Sequence, residues 1–263
     1  MNLNLENPHQ ETEKIAVFVQ GVLAQANKKK VVIAVSGGVD SVLALALLSR
    51  SLDKKNIFPT FLPYKNQDMD DAKLAAEFLK IPKNNWREIG IEPIVTRVEQ
   101  LTEIKIEPQF ANIAQIRLGN VMARSRMIIV YDLAKKLDAL VCGTENKSEK
   151  YLGYFTRFGD EASDFEPLIH LYKTQLRQLA QFMNLPKVFS NKSASAGLWE
   201  GQTDEGELGF SYVQADPIMA SFFEEKLSEK KIAKKLKLSP ELVAKVLGRV
   251  RAMAFKHEVP YKI

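Results

Sequence analysis

The 263-residue chain has one cysteine, Cys142, and three histidines, His9, His170 and His257, far apart in sequence. One cysteine excludes an internal disulfide and a cysteine cluster for zinc. It also makes the Asn-Lys-Ser triplets at Asn146 and Asn191 chance matches to a glycosylation signal. Cys142 ends an apolar run and reads as a small buried hydrophobe. No serine or cysteine motif accompanies a histidine, so no hydrolytic triad is assigned. Long apolar runs are missing as well: VVIAV and VLALALL fall far short of the roughly 20 residues that span a bilayer. MNLNLENPHQ has neither the basic start nor the apolar centre of a signal peptide. A soluble, cytoplasmic protein without a membrane partner is expected. Two familiar phosphate patterns are absent too. Without G-x-x-x-x-G-K-[ST] there is no standard nucleoside triphosphatase loop, and without G-x-G-x-x-G no dinucleotide held as in ordinary dehydrogenases.

An apolar content of 46% over this length supports a large core, and no repeat or low-complexity linker divides residues 1–263, so one domain is expected. The net charge of +5 is unevenly placed. Residues 226–256 hold ten Lys or Arg against Glu229 and Glu241, a local charge of +8 that leaves the remainder negative. Within that segment SEKKIAKKLKLSPELVAKVLGRV, Ser228 to Val250, carries apolar residues on both sides of a short turn with lysines outward, which fits either a DNA-binding helix-turn-helix or a plain helical pair.

Strand-like runs recur at Val31–Val35, Ile57–Leu62, Trp86–Ile91 and Ala139–Cys142, and helical spacing occupies Glu11–Ala26, Ser41–Ser51, Asp70–Leu79, a segment near Pro93–Glu103, Ile113–Leu137 and Tyr172–Met183. The alternation predicts an α/β fold of three layers, a mostly parallel twisted sheet with helices on both faces, followed by a C-terminal helical pair. Ligands of such sheets sit beyond the strand C-termini. Residues 144–167 show no periodicity and have the composition of a functional loop.

The first strand runs into SGGVDS, Ser36 to Ser41. Glycines let successive N–H groups face one concavity, serines add hydroxyl donors, and the next helix points its positive end there, so a phosphate fits. A simple glycine turn capped by Asp40 is the bland alternative. The carboxylate is the puzzle in an anion site. As ligand to a hard divalent cation that also binds phosphate oxygens, it makes chemical sense.

SGGVDS resembles the pyrophosphate loop of the ATP pyrophosphatase superfamily, which includes GMP synthetase, asparagine synthetase and tRNA-modifying enzymes. NVMARSRMIIVYDLAKKLDALVCGTENKSE, YLGYFTRFGDEASDFEPLIHLYKTQLRQLA and SASAGLWEGQTDEGELGFSY narrow this to a resemblance to ammonia-dependent NAD synthetase over about Val31 to Asp216. The resemblance implies ATP contacts from Ala34, Val35, Ser36, Gly37, Gly38, Val39, Asp40, Ser41, Thr144, Lys173 and Ser195, and Mg²⁺ on Asp40 and Glu149. It implies catalytic roles for Asp40 and Lys173, and contacts to deamido-NAD from Arg124, Arg157, Asp164 and Lys256. Arg157 stands where the family usually has lysine, Ala194 replaces its usual proline, and the tail reads AFKHEVPYKI where a His-Lys-Arg stretch is customary. ATP, deamido-NAD and free ammonia as substrates, and a homodimer, follow from the same resemblance. Nucleic acid becomes the less favoured partner.

Overall fold

The computed structural model describes residues 3–105, 111–190, 194–195, 197–199 and 201–262. Four strands, β1 Lys30–Ala34, β2 Ile57–Phe61, β3 Arg87–Glu88 and β4 Ala139–Cys142, form one sheet in the order β3-β2-β1-β4. All three pairings are parallel, with Val31 beside Ile57 on one side and Leu140 on the other. The third strand is shorter than its apolar run suggests, because only Thr60 and Phe61 pair with it, at Arg87 and Glu88. Beyond β4, Cys142 bridges to Phe165, so residues 164–165 lie along the outer edge of that strand.

Side chains of β1 alternate between two cores, as the two-residue period requires. Val31 and Ile33 join the helices α1 Pro8–Gln25, α2 Val39–Ser51, α3 Asp70–Phe78, α7 Lys173–Phe182 and α8 Lys187–Ser190, while Val32 joins α4 Glu92–Leu101 and α5 Ala111–Leu137 on the other face. Neighbours surround α2, and every residue from Val42 to Leu48 is buried, so its sequence VLALALL is apolar all round rather than amphipathic.

A third cluster holds the C-terminal half: α6 Lys147–Leu152, α9 Asp204–Leu208, α10 Tyr212–Phe223, α11 Glu229–Leu236 and α12 Pro240–Met253. Ile232, Val243, Val246 and Leu247 of the predicted pair are fully buried against Ile218 and Met219 of α10. Thus α11 and α12 form a plain helical pair packed on a third helix, with their lysines outward. No helix among the described residues is long and apolar enough to cross a membrane.

Residues 144–167, read as loop, contain a helix. Six-residue α6 is fixed by a capping box: the Asn146 side chain accepts from the Glu149 N–H at 3.0 Å while Glu149 reaches back to the Asn146 N–H, and Gly153 ends the helix at φ +59°. Asn146 is fully buried, which rules it out as a glycan acceptor, and Asn191 lies outside the described residues. Cys142 is buried at the end of β4.

Candidate active site

The strand order reverses at β1, whose neighbours β2 and β4 are reached in opposite directions, and the crevice at such a switch point is where open parallel sheets bind ligands. SGGVDS occupies that point. Gly37 has φ +82°, and a Cβ there would lie 2.7 Å from the Asp71 Cβ and 3.0 Å from the Ala72 nitrogen, so both conformation and space demand glycine. The turn is braced from within: Ser41 Oγ accepts from the Ser36 N–H at 3.2 Å and donates to the Gly38 carbonyl at 3.0 Å, and Ser36 Oγ accepts from the Gly38 N–H at 3.3 Å. Gly38 is the N-cap of α2 and no side chain caps that helix, so Asp40 is not serving as a cap.

Asp40 faces a cation instead. Lys173 Nζ donates to Asp40 Oδ2 at 2.5 Å and to Glu149 Oε1 at 3.0 Å, and Asn146 Nδ2 donates to Asp40 Oδ1 at 3.1 Å. Residues 40, 149 and 173, from three helix N-termini, therefore meet at one point. Only 2% of the Lys173 side chain is exposed. Its ammonium also lies over the Tyr212 ring, 5.3 Å from the centroid. Burial by itself would lower Lys173, but Asp40, Glu149 and Asp204 around it hold it above the ordinary lysine value. Burial pushes the Glu149 carboxyl up to about 7, against the pull of Lys173.

A second set of buried groups positions these residues. Asp216, fully buried on α10, accepts from Ser148 Oγ at 2.6 Å and from the Thr174 N–H at 2.9 Å, and Ser148 Oγ in turn accepts from the Lys173 N–H at 2.8 Å. One carboxylate thus ties the first turns of α6 and α7, which carry Glu149 and Lys173, and places negative charge at the positive end of α7. Asp204, 2% exposed, accepts from the Tyr212 hydroxyl at 3.0 Å. Asp204, Tyr212 and Asp216 form no motif of their own in the sequence, and Asn146 and Ser148 stand out there only as the ends of a glycosylation-like triplet. The one available signal was Asp216 itself, an acid inside the otherwise apolar ADPIMA run.

The residues read as substrate contacts are distributed around this centre. Thr144 follows β4 at the same edge of the sheet and is half-buried. Arg124 is exposed on α5 and its Nε donates to the Arg157 carbonyl at 3.2 Å, so these two arginines are neighbours. Arg126, two residues on, turns inward and donates to the Leu62 carbonyl and to Gln67, where burial lowers it to about 10. Arg157 lies over the Phe255 ring at 5.3 Å. The Asp164 carboxylate is engaged by the Val141 N–H at 2.7 Å. Lys256 donates to the carbonyls of Gly153 and Phe155, both at 2.6 Å, which clamps the tail onto the segment leading to Arg157. Ser195 is exposed and accepts from the Gly197 N–H at 3.0 Å, with nothing tying it to the Asp40 cluster among the described residues.

Two further carboxyls lie beside Thr144. Glu166 accepts from the Glu145 N–H at 3.0 Å and from Ser163 Oγ at 2.8 Å, and it passes so close to Gly143 that a Cβ there would sit 1.9 Å from Glu166 Oε1. Burial pushes Glu145 up to about 9, helped by Glu166, and Glu166 up to about 8.

Comparison with known proteins shows the family. Residues 11–260 match the family model described as NAD synthase. The chain belongs to the NAD synthase family. It is 39% identical over 249 residues to the NH(3)-dependent NAD(+) synthetase of Pyrococcus furiosus, covering 94% of this chain and 93% of that one. Among solved structures, it resembles the NMN synthetase of Francisella tularensis with a TM-score of 0.81 and 28% identity, covering 98% of each chain. It also resembles the NH3-dependent NAD synthetase of Campylobacter jejuni, with a TM-score of 0.80 and 29% identity over 98% of this chain and 99% of that chain. As an NAD synthase the protein is a ligase, and its parallel sheet flanked by helices is the α/β fold of the NAD synthetase structure from Campylobacter jejuni.

Proposed function

We propose that this chain joins ammonia to deamido-NAD at the expense of ATP, through an acyl adenylate. The observation that carries the reading is the meeting of Asp40, Glu149 and Lys173 at the mouth of a phosphate-fitting turn, in a chain of the NAD synthase family. The nicotinate carboxylate attacks the α-phosphorus of ATP and pyrophosphate leaves. Ammonia then attacks the activated carbonyl, AMP departs, and the nitrogen loses a proton to give the amide.

In this reading the amides and hydroxyls of residues 34–41 seat the phosphates, where donors fixed before reaction stabilise developing charge most effectively. Thr144 and Ser195 contact the nucleotide. Lys173 moves a buried positive charge onto the phosphates. Arg124, Arg157, Asp164 and Lys256 hold deamido-NAD, and the contact of Arg124 with the Arg157 carbonyl puts two of these four on one wall. Positioning of three reactants is the main contribution of such a site.

Mg²⁺ fits the donors present. Asp40 and Glu149 already reach one cationic position, and Mg²⁺ is commonly held by one or two carboxylates together with substrate phosphates. Among the described residues no group of three or more His, Cys, Asp or Glu is placed to hold a metal alone, which leaves the remaining coordination to phosphate and water. Bound there, Mg²⁺ would neutralise charge on the departing pyrophosphate.

A homodimer belongs to the same reading. Ile113, Ile116 and Ile128 are 60%, 48% and 53% exposed, and at about 100° per residue they share one face of α5 with Arg124. That face would bring the deamido-NAD contacts near a subunit boundary, and sedimentation at micromolar concentration should give twice the chain mass. A cytoplasmic site of action completes the reading. The decisive experiment incubates the protein with ATP, Mg²⁺, ammonium and deamido-NAD and measures NAD and AMP. Equal amounts of both support the reading, and no NAD overturns it. The deamidated mononucleotide in a parallel reaction separates this activity from that of an NMN synthetase.

A further inference from the structure

The Asp40 and Glu149 carboxylates are already occupied by a cation that belongs to the chain. Lys173 Nζ lies 2.5 Å from one and 3.0 Å from the other, on a side chain that is 2% exposed. Building on the proposed use of this site, we infer that Lys173 closes the carboxylate pair of the free protein to metal, so that the divalent cation enters only together with nucleotide phosphates.

The argument is one of charge placement. A bare divalent ion arriving at Asp40 and Glu149 must push the ammonium away from both. The remaining acids that bear on Lys173 are Asp204, whose Oδ2 accepts from the Tyr212 hydroxyl while its Oδ1 has no hydrogen-bond partner among the described residues, and Asp216, whose two oxygens accept from Ser148 and Thr174; the Tyr212 ring is the other close neighbour. The main chain of Lys173 is fixed at the start of α7 by Ser148, so the helix does not readily carry the charge away. Displacement by metal alone therefore exchanges two buried carboxylate contacts of the ammonium for at most one, at Asp204 Oδ1, a cost equivalent to at least about a hundredfold in affinity.

Phosphates change this balance. The turn that seats them lies directly before Asp40, within reach of the same ammonium, and their oxygens can accept it as the metal takes the carboxylates. The two cations then trade partners, and no buried charge is left alone. The charged groups that bear on Lys173 include Asp40 on α2, Glu149 on α6, Asp204 on α9 and Asp216 on α10, and each is a carboxyl. One ammonium among four carboxyls leaves the site acidic in composition. It attracts cations, while the lysine keeps the liganding oxygens filled.

Mn²⁺ binding, followed by the loss of the free-ion paramagnetic resonance signal, tests this on the full chain. Wild-type protein should bind Mn²⁺ alone at least about a hundredfold more weakly than it does with α,β-methylene ATP, after allowance for Mn²⁺ bound to free nucleotide. Lys173→Met should bind Mn²⁺ without nucleotide and lose most of that enhancement, and Lys173→Met with Asp40→Asn should lose the Mn²⁺ site. Lys173→Arg keeps the charge and should still exclude the bare ion, which covers the case in which the methionine variant does not fold. Wild-type binding of Mn²⁺ alone within tenfold of its binding with the nucleotide analogue overturns the inference. Because this readout needs no turnover, failure of the NAD-forming reaction would remove the functional reading while leaving the metal result to stand or fall separately.

Discussion

Asp216→Ala is the most informative single substitution, because it removes a fully buried carboxylate that touches no substrate in the proposed reaction. In the folded protein this group accepts from the Ser148 hydroxyl at 2.6 Å and the Thr174 N–H at 2.9 Å. Alanine leaves the buried Ser148 hydroxyl and the part-buried Thr174 N–H without acceptors, at about 1–3 kcal/mol each, and takes an anion from the N-terminus of α7. Relief of the buried charge offsets part of this, so the expected loss is about 3–5 kcal/mol, or roughly 6–20 °C in melting temperature for a chain of this size. Asp216→Asn should cost less: its amide oxygen can still serve Thr174, and its NH₂ can donate to Ser148 Oγ, leaving one hydroxyl hydrogen without its acceptor. Urea denaturation measures stability, and kcat for NAD formation should fall in the same order, Ala below Asn below wild type, because Ser148 holds the backbone of Lys173. A stability loss below about 1 kcal/mol for Asp216→Ala, or equal effects of Ala and Asn, would refute the network.

Gly37→Ala should cost about 2–5 kcal/mol, combining a side chain at φ +82° with a Cβ 2.7 Å from Asp71, and should weaken nucleotide binding; a variant as stable as wild type in urea would count against the turn geometry. Glu145 and Glu166 hold protons in the folded state up to about 9 and about 8, well above where the unfolded chain releases them, so stability contributed by these groups falls as pH rises through that window. Glu145→Gln should flatten that fall, measured as melting temperature from pH 5 to 9, and parallel curves would dismiss the explanation. Arg124→Ala should raise KM for deamido-NAD while changing stability by no more than about 0.5 kcal/mol, since the side chain is exposed and makes one hydrogen bond to Arg157. An unchanged KM would remove Arg124 from the proposed substrate contacts.

The sheet was legible because its signals are local. VVIAV followed by SGGVDS and VLALALL contains a strand, a left-handed glycine and a buried helix within 18 residues. The expected ends of β2, β4, α3 and α4 fall within two residues of those observed. Six-residue α6 was not legible, because a helix that short has little apolar periodicity and depends on its Asn146–Glu149 caps and on packing. The same limit divides Arg124 from Arg126. Two residues apart on a helix means about 200° around its axis, so one arginine faces outward and the other packs against Leu62 and Gln67, and neither direction is written in the dipeptide spacing. The positioning groups were hidden for a different reason. Ser148, Thr174 and Asp216 are separated by 26 and 42 residues, and nothing in any one segment announces that they will meet.

That separation bears on why an acidic residue sits in a turn proposed to bind phosphate. The familiar nucleotide loop carries its lysine within the turn, where strand and helix fix it together with the phosphate donors. In this chain the turn contributes Asp40, and the positive charge arrives from α7, 133 residues later in sequence. The charge of the pocket is therefore not a local property of SGGVDS. It depends on α7 being docked, and α7 is docked through Ser148 on α6 and Asp216 on α10, both rooted in the C-terminal helical cluster. Loosening that cluster at a distance, for example with Val246→Ala in its fully buried centre, should cost about 1–3 kcal/mol and weaken nucleotide binding with no group near the phosphates altered. If nucleotide affinity stayed at the wild-type value while the C-terminal helices exchanged their amide hydrogens faster, the pocket would be independent of that cluster, and the long-range placement of Lys173 would carry no functional weight.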